Sequence, residues 1–430
     1  MKRIITMMLA AVAVSATAQH TYSLDECIDL ALHNNMAVAN ADIDIATADE
    51  QRKEAFTNYF PNVSALGAGF ISDKGLIQMD MSALGAPGTM GLVKNGVLGG
   101  VTAMQPVFAG GQIVNGNKLA QLGAETARLK RNLTENEVRL NVETYYWQIV
   151  MLRAKLLTID KVEAQLLNAQ KDAQAAVDAG VSNRNDLLQV NLKKNDIHAQ
   201  RIKAENALTL CSDLLKQAMG IFGKDGDGSP VGVAEQITDQ LPADPQSLFA
   251  DPESALSLTS EYRLLDKQVE ANELQYKLEV GKNLPSVAIG GGYLYNNLMD
   301  KSQNNFVGMA TVSIPISGWW GGSHAMKRQK MQVSAAENER ADRGEMLKIR
   351  MHRAWNDLTD SYKQIQIAME SMQQSEENLR LNTDYYQAGT VTMNDLLDAQ
   401  TLYQQSHDQF VEAFAQYEIK KREYLQATGR

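Results

Sequence analysis

Asp395 and Asp398, close to the C-terminus, are the residues of this sequence whose types and spacing could do chemistry. A spacing of three places both carboxylates on one face of a helix, where a pair of acids could move protons to and from a substrate. Acids in the first turn of a helix also bind free backbone N–H groups and interact favourably with the helix dipole. The residues alone favour this second, structural interpretation.

No other pattern supplies the partner that acid–base catalysis would need. The six histidines are scattered and none has a ligand spacing such as His-Glu-x-x-His. Gly290-Gly291-Gly292 lies inside a strand pattern and does not open a helix, so a phosphate-binding loop is not supported. A Gly-x-Ser-x-Gly elbow is also absent from the sequence. We therefore predict that the protein is not an enzyme and needs no metal and no cofactor.

The surroundings of Asp395 occur twice in the chain. Gly389 breaks a long helical pattern before Asn394-Asp395-Leu396-Leu397, and Gly180 breaks another before Asn185-Asp186-Leu187-Leu188. The two glycines are 209 residues apart, and so are the two asparagines. A fixed offset between similar segments indicates an internal repeat. We predict two tandem copies of one unit, each containing two helices joined at a glycine turn.

The predicted order of elements is the same in both copies: a helix, a glycine-rich β-hairpin, a long helix and a second helix. Pro61 aligns with Pro285 at an offset of 224 residues, whereas Pro106 aligns with Pro315 at an offset of 209. A single insertion in the first hairpin loop explains why the two offsets differ, because loops absorb insertions. The predicted boundaries are a signal peptide at 1–18, a first repeat at 19–220 with its hairpin at 61–107, a linker at 221–250, and a second repeat at 251–430 with its hairpin at 285–316.

Local signals support long packed helices. Ser23 followed by Glu26 predicts a capping box at the start of a helical pattern that continues to Tyr59. A stripe of apolar residues at steps of three and four predicts one buried face on the long helix of the first repeat: Leu152, Leu156, Ile159, Val162, Leu166, Ala169, Ala173 and Ala176. Aromatic residues recur every seven positions near the C-terminus and predict a helix-packing seam: Tyr403, Phe410, Tyr417 and Tyr424.

Composition and the N-terminus bound the cellular setting. Basic residues, an apolar run and Ala16-Thr17-Ala18 predict a secretory signal peptide that is removed after Ala18. The net charge of −10 and the pI of about 5.2 argue against nucleic-acid binding. Beyond the signal no stretch reaches 18 consecutive apolar residues, which argues against transmembrane helices but not against transmembrane β-strands. Cys27 and Cys211 either form one disulfide or are two buried small side chains.

The second hairpin alternates in a way that fits two different environments. One face of its first strand is predicted to carry Val287, Ile289, Gly291, Tyr293 and Tyr295. Apolar residues on one face and small or polar residues on the other suit a membrane-spanning barrel strand and, equally, a hairpin half-buried on a soluble core. Four strands are too few to close a barrel with a lumen, so a membrane barrel would require several chains. Tyr293, Tyr295, Trp319 and Trp320 could accordingly form an aromatic belt at a membrane interface or serve as core anchors.

Taken together, the doubled motifs resemble the TolC family of bacterial outer-membrane efflux and secretion ducts. The resemblance covers about residues 22–429 and lies in the order and doubled spacing of its motifs. They are Tyr22-Ser23-Leu24-Asp25-Glu26-Cys27-Ile28-Asp29-Leu30-Ala31-Leu32, Tyr59-Phe60-Pro61, Pro106-Val107-Phe108-Ala109-Gly110-Gly111, and Gly389 with Asp395-Leu396-Leu397-Asp398-Ala399-Gln400.

The resemblance implies a mainly α fold with a small β part, assembled as a homotrimer. Four strands per chain would form a 12-stranded barrel in the outer membrane, and long antiparallel coiled-coil helices would form an α-barrel in the periplasm of a Gram-negative bacterium. The implied function is a passive exit duct of a tripartite efflux or type I secretion system. Its partners would be outer-membrane lipid, a periplasmic adaptor and an inner-membrane pump of RND, ABC or similar type. The alternative that the residues leave open is a soluble periplasmic coiled-coil scaffold or adaptor.

The resemblance also assigns roles to single residues. Asp186, Tyr386, Asp395 and Asp398 correspond to a periplasmic aperture, where threefold symmetry would turn acids into rings that favour cations. Gly180, Val181, Gly389 and Thr390 correspond to the turns that contact the adaptor. The chain departs from the family pattern two residues after each turn glycine, where Val391 and Ser182 stand and a gate arginine is expected. A closed state held by an arginine–carboxylate pair is therefore not expected.

Overall fold

The computed structural model describes residues 21–74, 77–80, 89–223, 230–298, 301–316 and 318–430. The predicted signal peptide at 1–18 lies outside the described residues. The described strands are β1 Thr21–Tyr22, β2 Asn62–Ile71, β3 Ile77–Asp80, β4 Thr89–Leu92, β5 Asn95–Ala109, β6 Gly232–Val233, β7 Ser286–Leu298 and β8 Lys301–Ser313. The described α-helices are α1 Leu24–Asn34, α2 Met36–Thr57, α3 Gln112–Asp178, α4 Arg184–Ala218, α5 Pro252–Leu256, α6 Ser260–Lys282, α7 Gly318–Gln387 and α8 Met393–Ala427.

The chain forms two compact units. We call residues 41–132 and 260–346 the strand unit, and the described residues up to 40 together with 133–259 and 347–430 the helix unit. Each unit takes segments from both halves of the sequence.

A four-stranded antiparallel sheet in the order β2-β5-β7-β8 organises the strand unit. The two hairpins therefore join through β5 and β7, and β2 and β8 are the edge strands. The register places Tyr293 between Val101 on β5 and Phe306 on β8, and pairs Val287 with Val312. The predicted alternation is confirmed, since these residues share one face of the sheet.

That face of the sheet, which we call the apolar face, is open to solvent in the single chain. Ile289 is 51% exposed and Phe306 is 81% exposed. The opposite face is rich in glycine and carries polar side chains such as Ser64 and Thr102, whose hydroxyl oxygens are 3.0 Å apart. An apolar face of this extent is unusual for a soluble monomer, which rarely exposes contiguous apolar surface.

The strand bounds differ from the predicted hairpins in an informative way. Pro106 lies inside β5, which continues to Ala109 past an irregularity in the register between Pro106 and Phe108. Its repeat counterpart Pro315 lies beyond the end of β8. Proline lacks a backbone N–H and is tolerated within a strand where a bulge interrupts the ladder. The longer loop of the first hairpin contains β3 and β4, which pair with each other as a separate two-stranded ribbon.

Two glycines bring β5 and α6 into direct backbone contact. A Cβ atom on Gly281 would lie 2.6 Å from the carbonyl oxygen of Gly110. Gly110 itself has a φ of 60°, in the left-handed region that favours glycine. This crossing fixes where the helix that leads into the second hairpin meets the strand that leaves the first one.

Buried apolar stripes hold the helices of the helix unit together. One core cluster contains Cys27, Tyr146, Leu215 and Ile419, from α1, α3, α4 and α8. The predicted stripe on α3 is largely buried, and it shares a second cluster with residues of α4, α7 and α8.

The structure confirms the predicted start of the first helix but shows that this helix ends earlier than predicted. The predicted capping box is confirmed, because Ser23 Oγ accepts a hydrogen bond from the N–H of Glu26 and the Glu26 carboxylate accepts one from the N–H of Ser23. The helical pattern predicted up to Tyr59 is interrupted at Asn35, which has extended backbone angles. Two helices, α1 and α2, therefore take the place of one.

Buried tyrosines bind the segment between the two repeats. Tyr417 donates to the carbonyl of Ala243 over 2.7 Å, and the Tyr424 hydroxyl accepts from the N–H of Ala250 over 2.8 Å. Both belong to the predicted aromatic seam, whose four residues are all buried. Burial is the main reason why the pKa of Tyr417 is raised to about 12. The seam therefore packs α8 and also satisfies backbone groups of the linker.

Two further features of the described residues bear on the sequence predictions. Cys27 and Cys211 are both free thiols, and burial is the first cause that raises the pKa of each. Cys27 is a buried small side chain, as one of the two interpretations predicts, whereas Cys211 is half-buried. Within the described ranges, no helix is both long enough and apolar enough to cross a membrane.

The glycine crossing predicts opposite effects for two Gly→Ala changes within helices. Gly281→Ala should lower the midpoint of thermal unfolding by several degrees, because the new methyl group meets the backbone of Gly110. Gly123→Ala on α3 is the matched control, since a Cβ atom there would meet no atom within 4 Å. It should leave the midpoint unchanged or raise it, because alanine is favoured over glycine in a helix by about 1 kcal/mol. Circular dichroism melting of the detergent-solubilised protein distinguishes the two, and equal midpoints would contradict the crossing.

Candidate functional site

The two helix turns predicted as functional sites have the same backbone design. Gly180 follows α3 with a φ of 72°, and Gly389 follows α7 with a φ of 71°. After each helix, the N–H of the residue following the glycine bonds to a carbonyl five residues back: Val181 to Ala176 over 3.0 Å, and Thr390 to Tyr385 over 2.9 Å. This is the hydrogen-bond pattern of a Schellman motif, in which glycine takes the left-handed position. The glycines are therefore needed to end both long helices at matching places.

The helix that follows each turn is capped by a polar side chain. Asn183 Oδ1 accepts from the N–H of Asn185 over 3.2 Å at the start of α4. At the start of α8, Thr392 and Asp395 form a reciprocal capping box: the Asp395 carboxylate accepts from the N–H of Thr392 over 2.8 Å, and Thr392 Oγ1 accepts from the N–H of Asp395 over 3.3 Å. Hydrogen bonds from Thr392 hold the pKa of the Asp395 carboxyl below its ordinary value. Asp395 thus has the structural role that its position in the first turn predicts.

Asp395 and Asp398 both face away from the helical core. Leu396 and Leu397, which lie between them, are buried in the second core cluster. The two carboxylates are exposed in the single chain, and Asn394 Nδ2 donates to Asp398 over 3.2 Å. Neither acid has a cationic partner in the described part of the turn. Their charges therefore remain available to the space beyond the helix pair.

Asp186 and Tyr386 come from the two different turns and are close enough to interact. Ser182 Oγ donates to the Asp186 carboxylate over 2.5 Å, and Asp186 is half-buried. Tyr386 packs against the second core cluster. Burial raises the pKa of Tyr386 most, and the negative charges of Asp186 and Asp172 raise it further. Asp172 on α3 was not found by sequence reasoning, because nothing in its local pattern distinguishes it from other charges on the helix surface.

The two turns are exposed, and the space around their glycines is open. Val181 is 80% exposed, Thr390 is also exposed, and a Cβ atom on either turn glycine would meet no atom within 4 Å. Val391, which stands in the position of the expected gate arginine, is half-buried. The turn of the second repeat therefore presents a small, uncharged tip flanked by the acids of α8.

The four predicted interface aromatics fall into two groups. Tyr293 and Tyr295 lie seven and nine residues along β7 from Ser286, about 23 to 30 Å at 3.3 Å per residue. Trp319 and Trp320 open α7, just after the opposite end of the sheet, where Ser313 pairs with Ser286. Trp319 Nε1 donates to the carbonyl of Asn283 over 2.9 Å, and Trp320 is 78% exposed. The structure does not bring the four together; it places one pair toward each end of the strands.

The described chain thus combines a four-stranded sheet with one exposed apolar face and long helices that pack through buried apolar stripes. A family model described as outer membrane efflux protein matches residues 27–221 and 254–430. The matched ranges cover most of the chain, and the protein belongs to this family. Among curated proteins, none matches the sequence significantly.

Several solved structures share the fold. The Campylobacter jejuni CmeC outer membrane channel is similar with a TM-score of 0.79 and 15% identity, over 94% of this chain and 85% of that chain. The Vibrio cholerae outer membrane protein VceC is similar with a TM-score of 0.75 and 15% identity, over 94% of this chain and 96% of that chain. The Neisseria gonorrhoeae MtrE outer membrane channel, solved in its open state, gives a TM-score of 0.75 and 15% identity over 94% of this chain and 88% of that chain.

Family membership decides between the two functions that the sequence left open. The protein is an outer-membrane efflux channel, and the alternative of a soluble coiled-coil scaffold is wrong. Within the described ranges, no group of three His, Cys, Asp or Glu residues is arranged to hold a metal ion.

The capping box predicts a local effect of pH at the second turn. Because the folded-state pKa of Asp395 is depressed, its stabilising contribution is complete at neutral pH and is lost as pH falls below the ordinary value of 3.8. Asp395→Asn should speed hydrogen–deuterium exchange at the first turn of α8 at neutral pH and should remove most of the acid-dependent change.

The matched control for this measurement is Asp398→Asn. Its carboxylate accepts a hydrogen bond from a side chain, Asn394, and not from the backbone. Exchange in the first turn of α8, corrected for the intrinsic rate at each pH, should be close to that of the wild type. Equal exchange in the two variants would show that Asp395 does not cap the helix.

Proposed function

We propose that the protein is the passive exit duct of a tripartite efflux or type I secretion system and works as a homotrimer. The observation that carries the proposal is the sheet with two open edges, β2 and β8, and an exposed apolar face. A four-stranded sheet cannot close on itself around a lumen, and an open edge cannot face lipid. Three copies would supply twelve strands and pair β8 of each copy with β2 of the next.

The two faces of the sheet suit the two sides of such a barrel. The apolar face, with Ile289, Tyr293 and Phe306, would contact outer-membrane lipid, and the face with Ser64 and Thr102 would line the lumen. The separation of the two aromatic groups, about 23 to 30 Å along the strand, is close to the height of the apolar band of an outer-membrane barrel, about 25 Å. The tyrosines and the tryptophans would then mark opposite interfaces of the membrane.

The helices would extend the duct into the periplasm of a Gram-negative bacterium. The bare turns at Gly180–Val181 and Gly389–Thr390 would contact a periplasmic adaptor, which connects the duct to an inner-membrane pump of RND, ABC or similar type. Transport through the duct needs no chemistry from this chain, since the pump supplies the energy. Nucleic acid is not a partner, in keeping with the net charge of −10.

Acids at the turns would form the periplasmic aperture. Threefold symmetry would place three copies each of Asp395 and Asp398 around the axis, and rings of carboxylates favour cations. Asp186 and Asp172 would interact electrostatically with Tyr386 in the same chain, and this interaction would couple the two turns. Opening would be a shift between two packings of these helices, held by contacts other than an arginine latch because Val391 occupies that position.

The division into two repeats and a linker belongs to this proposal. In both 19–220 and 251–430 two helices precede the hairpin, and a long helix and a second helix follow it. Between them, 221–250 contains the short strand β6 and segments bound by Tyr417 and Tyr424. In the trimer this linker would contribute to an equatorial belt around the helices.

Conductance across planar bilayers tests the duct and its acids together. The detergent-extracted protein should give stable steps that are cation-selective in a salt gradient. Asp395→Asn combined with Asp398→Asn should move the reversal potential toward zero, because the change removes two rings of charge. Unchanged reversal potentials would refute the role of these acids, and a protein that gives no steps would refute the duct.

Charge on the two faces of the sheet tests which face meets lipid. Ile289→Lys, in the apolar face, should destabilise the inserted protein by about 2 to 4 kcal/mol. Thr311→Lys is the matched control, because Thr311 follows Ala310, the residue that pairs with Ile289, and lies in the opposite face at a similar depth; it should cost far less. Urea unfolding in lipid vesicles measures both, and equal costs would exclude the assigned lipid-facing side.

A further inference from the structure

The N-terminal part of α7 is packed against α6 on one side. Gln329 Nε2 donates to Gln275 over 3.2 Å, Arg340 pairs with Asp266 over 3.3 Å, and Gly322 lies against Asn283. Positions 322, 329 and 340 fall on one line of the helix, because their spacings are close to whole numbers of turns at about 3.6 residues per turn. This line is the α6 side of α7.

Away from that line, α7 carries cations that are unpaired within the described residues. His324, Lys327, Arg328 and Met331, which we call the basic stripe, follow steps of three, one and three and lie between a quarter and half a turn from Gln329. All four side chains are exposed. Among the residues that the structure describes, Lys327 and Arg328 take part in no ion pair, and from Gly318 to Ala336 the helix contains no acidic residue.

The outer side of α2 carries a stripe of the complementary kind. Arg131 pairs with Asp42, Arg128 pairs with Asp49 over 3.5 Å, and Asn117 donates to the carbonyl of Ala55, so these contacts mark the α3 side of α2. On the far side lies the acidic stripe, which consists of Ile43, Thr47, Glu50 and Glu54.

The acidic stripe is exposed along its whole length, and its two acids are weakly engaged. Glu50 accepts from Lys53 over 2.6 Å, in a surface pair between residues three apart. Such pairs contribute little, about 0 to 1 kcal/mol, so Glu50 remains able to exchange its partner. Glu54 makes no ion pair within the described ranges.

Both stripes sit on helices that continue directly from the edge strands. α2 leads into β2 and α7 leaves β8, at the same end of the sheet. Because strands alternate in direction across the sheet, β8 of one copy and β2 of the next would be antiparallel, and so would the helices attached to them.

With increasing distance from the sheet, the members of the two stripes follow in a matching order. The acid nearest the sheet corresponds to histidine, the next acid to the two cations, and isoleucine to methionine. Glu54, Glu50 and Ile43 lie successively farther before Asn62, and His324, Lys327 and Met331 lie successively farther after Ser313. Counted from these two strand ends, which the inferred contact would place side by side, the matched members differ by about one to three residues, or about 1.5 to 4.5 Å along a helix, within reach of lysine and arginine side chains.

We infer that the acidic stripe of α2 binds the basic stripe of α7 from the adjacent copy, and that this contact fixes the order and vertical register of the protomers. The inference rests on the proposed trimer, because it requires a second copy beside each edge strand. Glu50 pairs with Lys327 and Arg328, Glu54 lies against His324, and Ile43 packs on Met331. The strand edges alone set this register weakly, because a slip of two residues keeps the alternation of faces.

Charge exchange between the stripes tests the inference in the purified, detergent-solubilised protein. The readout is the temperature at which the trimer dissociates on a denaturing gel. The double variants Glu50→Lys/Glu54→Lys and Lys327→Glu/Arg328→Glu should each lower it by about 5 to 10 °C, since like charges then meet at all three interfaces. The quadruple variant should recover at least half of this loss, and the losses should shrink in 1 M salt because screening weakens exposed pairs.

Lys330→Glu is the matched control. Lys330 is an exposed lysine on the same helix, makes no ion pair within the described residues and lies outside the basic stripe. Its change should leave the dissociation temperature within about 2 °C of the wild type, because a charge off the stripe does not meet the acids. A fall equal to that of the double variants would mean that net charge, and not the pairing, sets the temperature, and would overturn the inference.

Cross-linking separates failure of this contact from failure of the proposed function. With cysteines at Glu54 and His324 in the same chain, oxidation should give a covalent trimer, whereas cysteines at Glu54 and Lys330 should not. A wild-type trimer in which the first cysteine pair does not cross-link, or in which the quadruple variant is no more stable than the doubles, would overturn the inference and leave the duct standing. A wild-type protein that is monomeric in detergent would instead refute the proposed trimer.

Discussion

The structure depends on the backbone hydrogen bonds of two edge strands. β2 and β8 each have one side that pairs within the sheet and another whose N–H and C=O groups have no partner in the same chain among the described strands. In water such an edge is tolerated, but in lipid each unpaired group costs several kcal/mol. In the trimer that we propose, other copies of the chain satisfy these edges. The two faces of the sheet differ in the way such a barrel would require, since the exposed apolar face would meet lipid and the polar, glycine-rich face would line the lumen.

The ends of the two long helices are set by local hydrogen bonds. Each long helix stops at a glycine in the left-handed region, and its last carbonyls are bound by the residues that follow. The next helix starts on a polar cap a few residues later. Both turns are built by local hydrogen bonds, so their bare tips need no contact from elsewhere in the chain to keep their shape.

Much of this fold could be predicted from the sequence, because its signals are local and repeated. The offset between Gly180 and Gly389, the alternation in β7 and β8, and the seam of Tyr403, Phe410, Tyr417 and Tyr424 each predicted a feature that the structure contains. The sequence could not predict that Asn35 interrupts the first helical segment, since asparagine is common at helix ends and on helix surfaces alike. It also could not predict that Pro106 and Pro315, which are equivalent in the two repeats, differ in their surroundings. Pro106 lies inside β5, next to the irregularity in its register, whereas Pro315 lies beyond the end of β8.

The candidate site was less accessible to sequence reasoning than the fold. The resemblance supplied Asp186, Tyr386, Asp395 and Asp398, but the spacing of the acids did not show that Asp395 binds the backbone of Thr392 while Asp398 does not. Asp172 lies in a different helix from Tyr386, and the electrostatic coupling between them depends on how the helices pack. Contacts between distant segments of this kind are visible only once the core between them is known.

The ribbon formed by β3 and β4 has a consequence for symmetry. In the trimer that we propose, each chain would contribute two hairpins to the rim of the barrel. Among the described residues the ribbon belongs to the first hairpin, so in the proposed trimer it would occur three times around the rim. A ligand that recognises the ribbon would then find three equivalent positions on the rim, although the rim contains six hairpins.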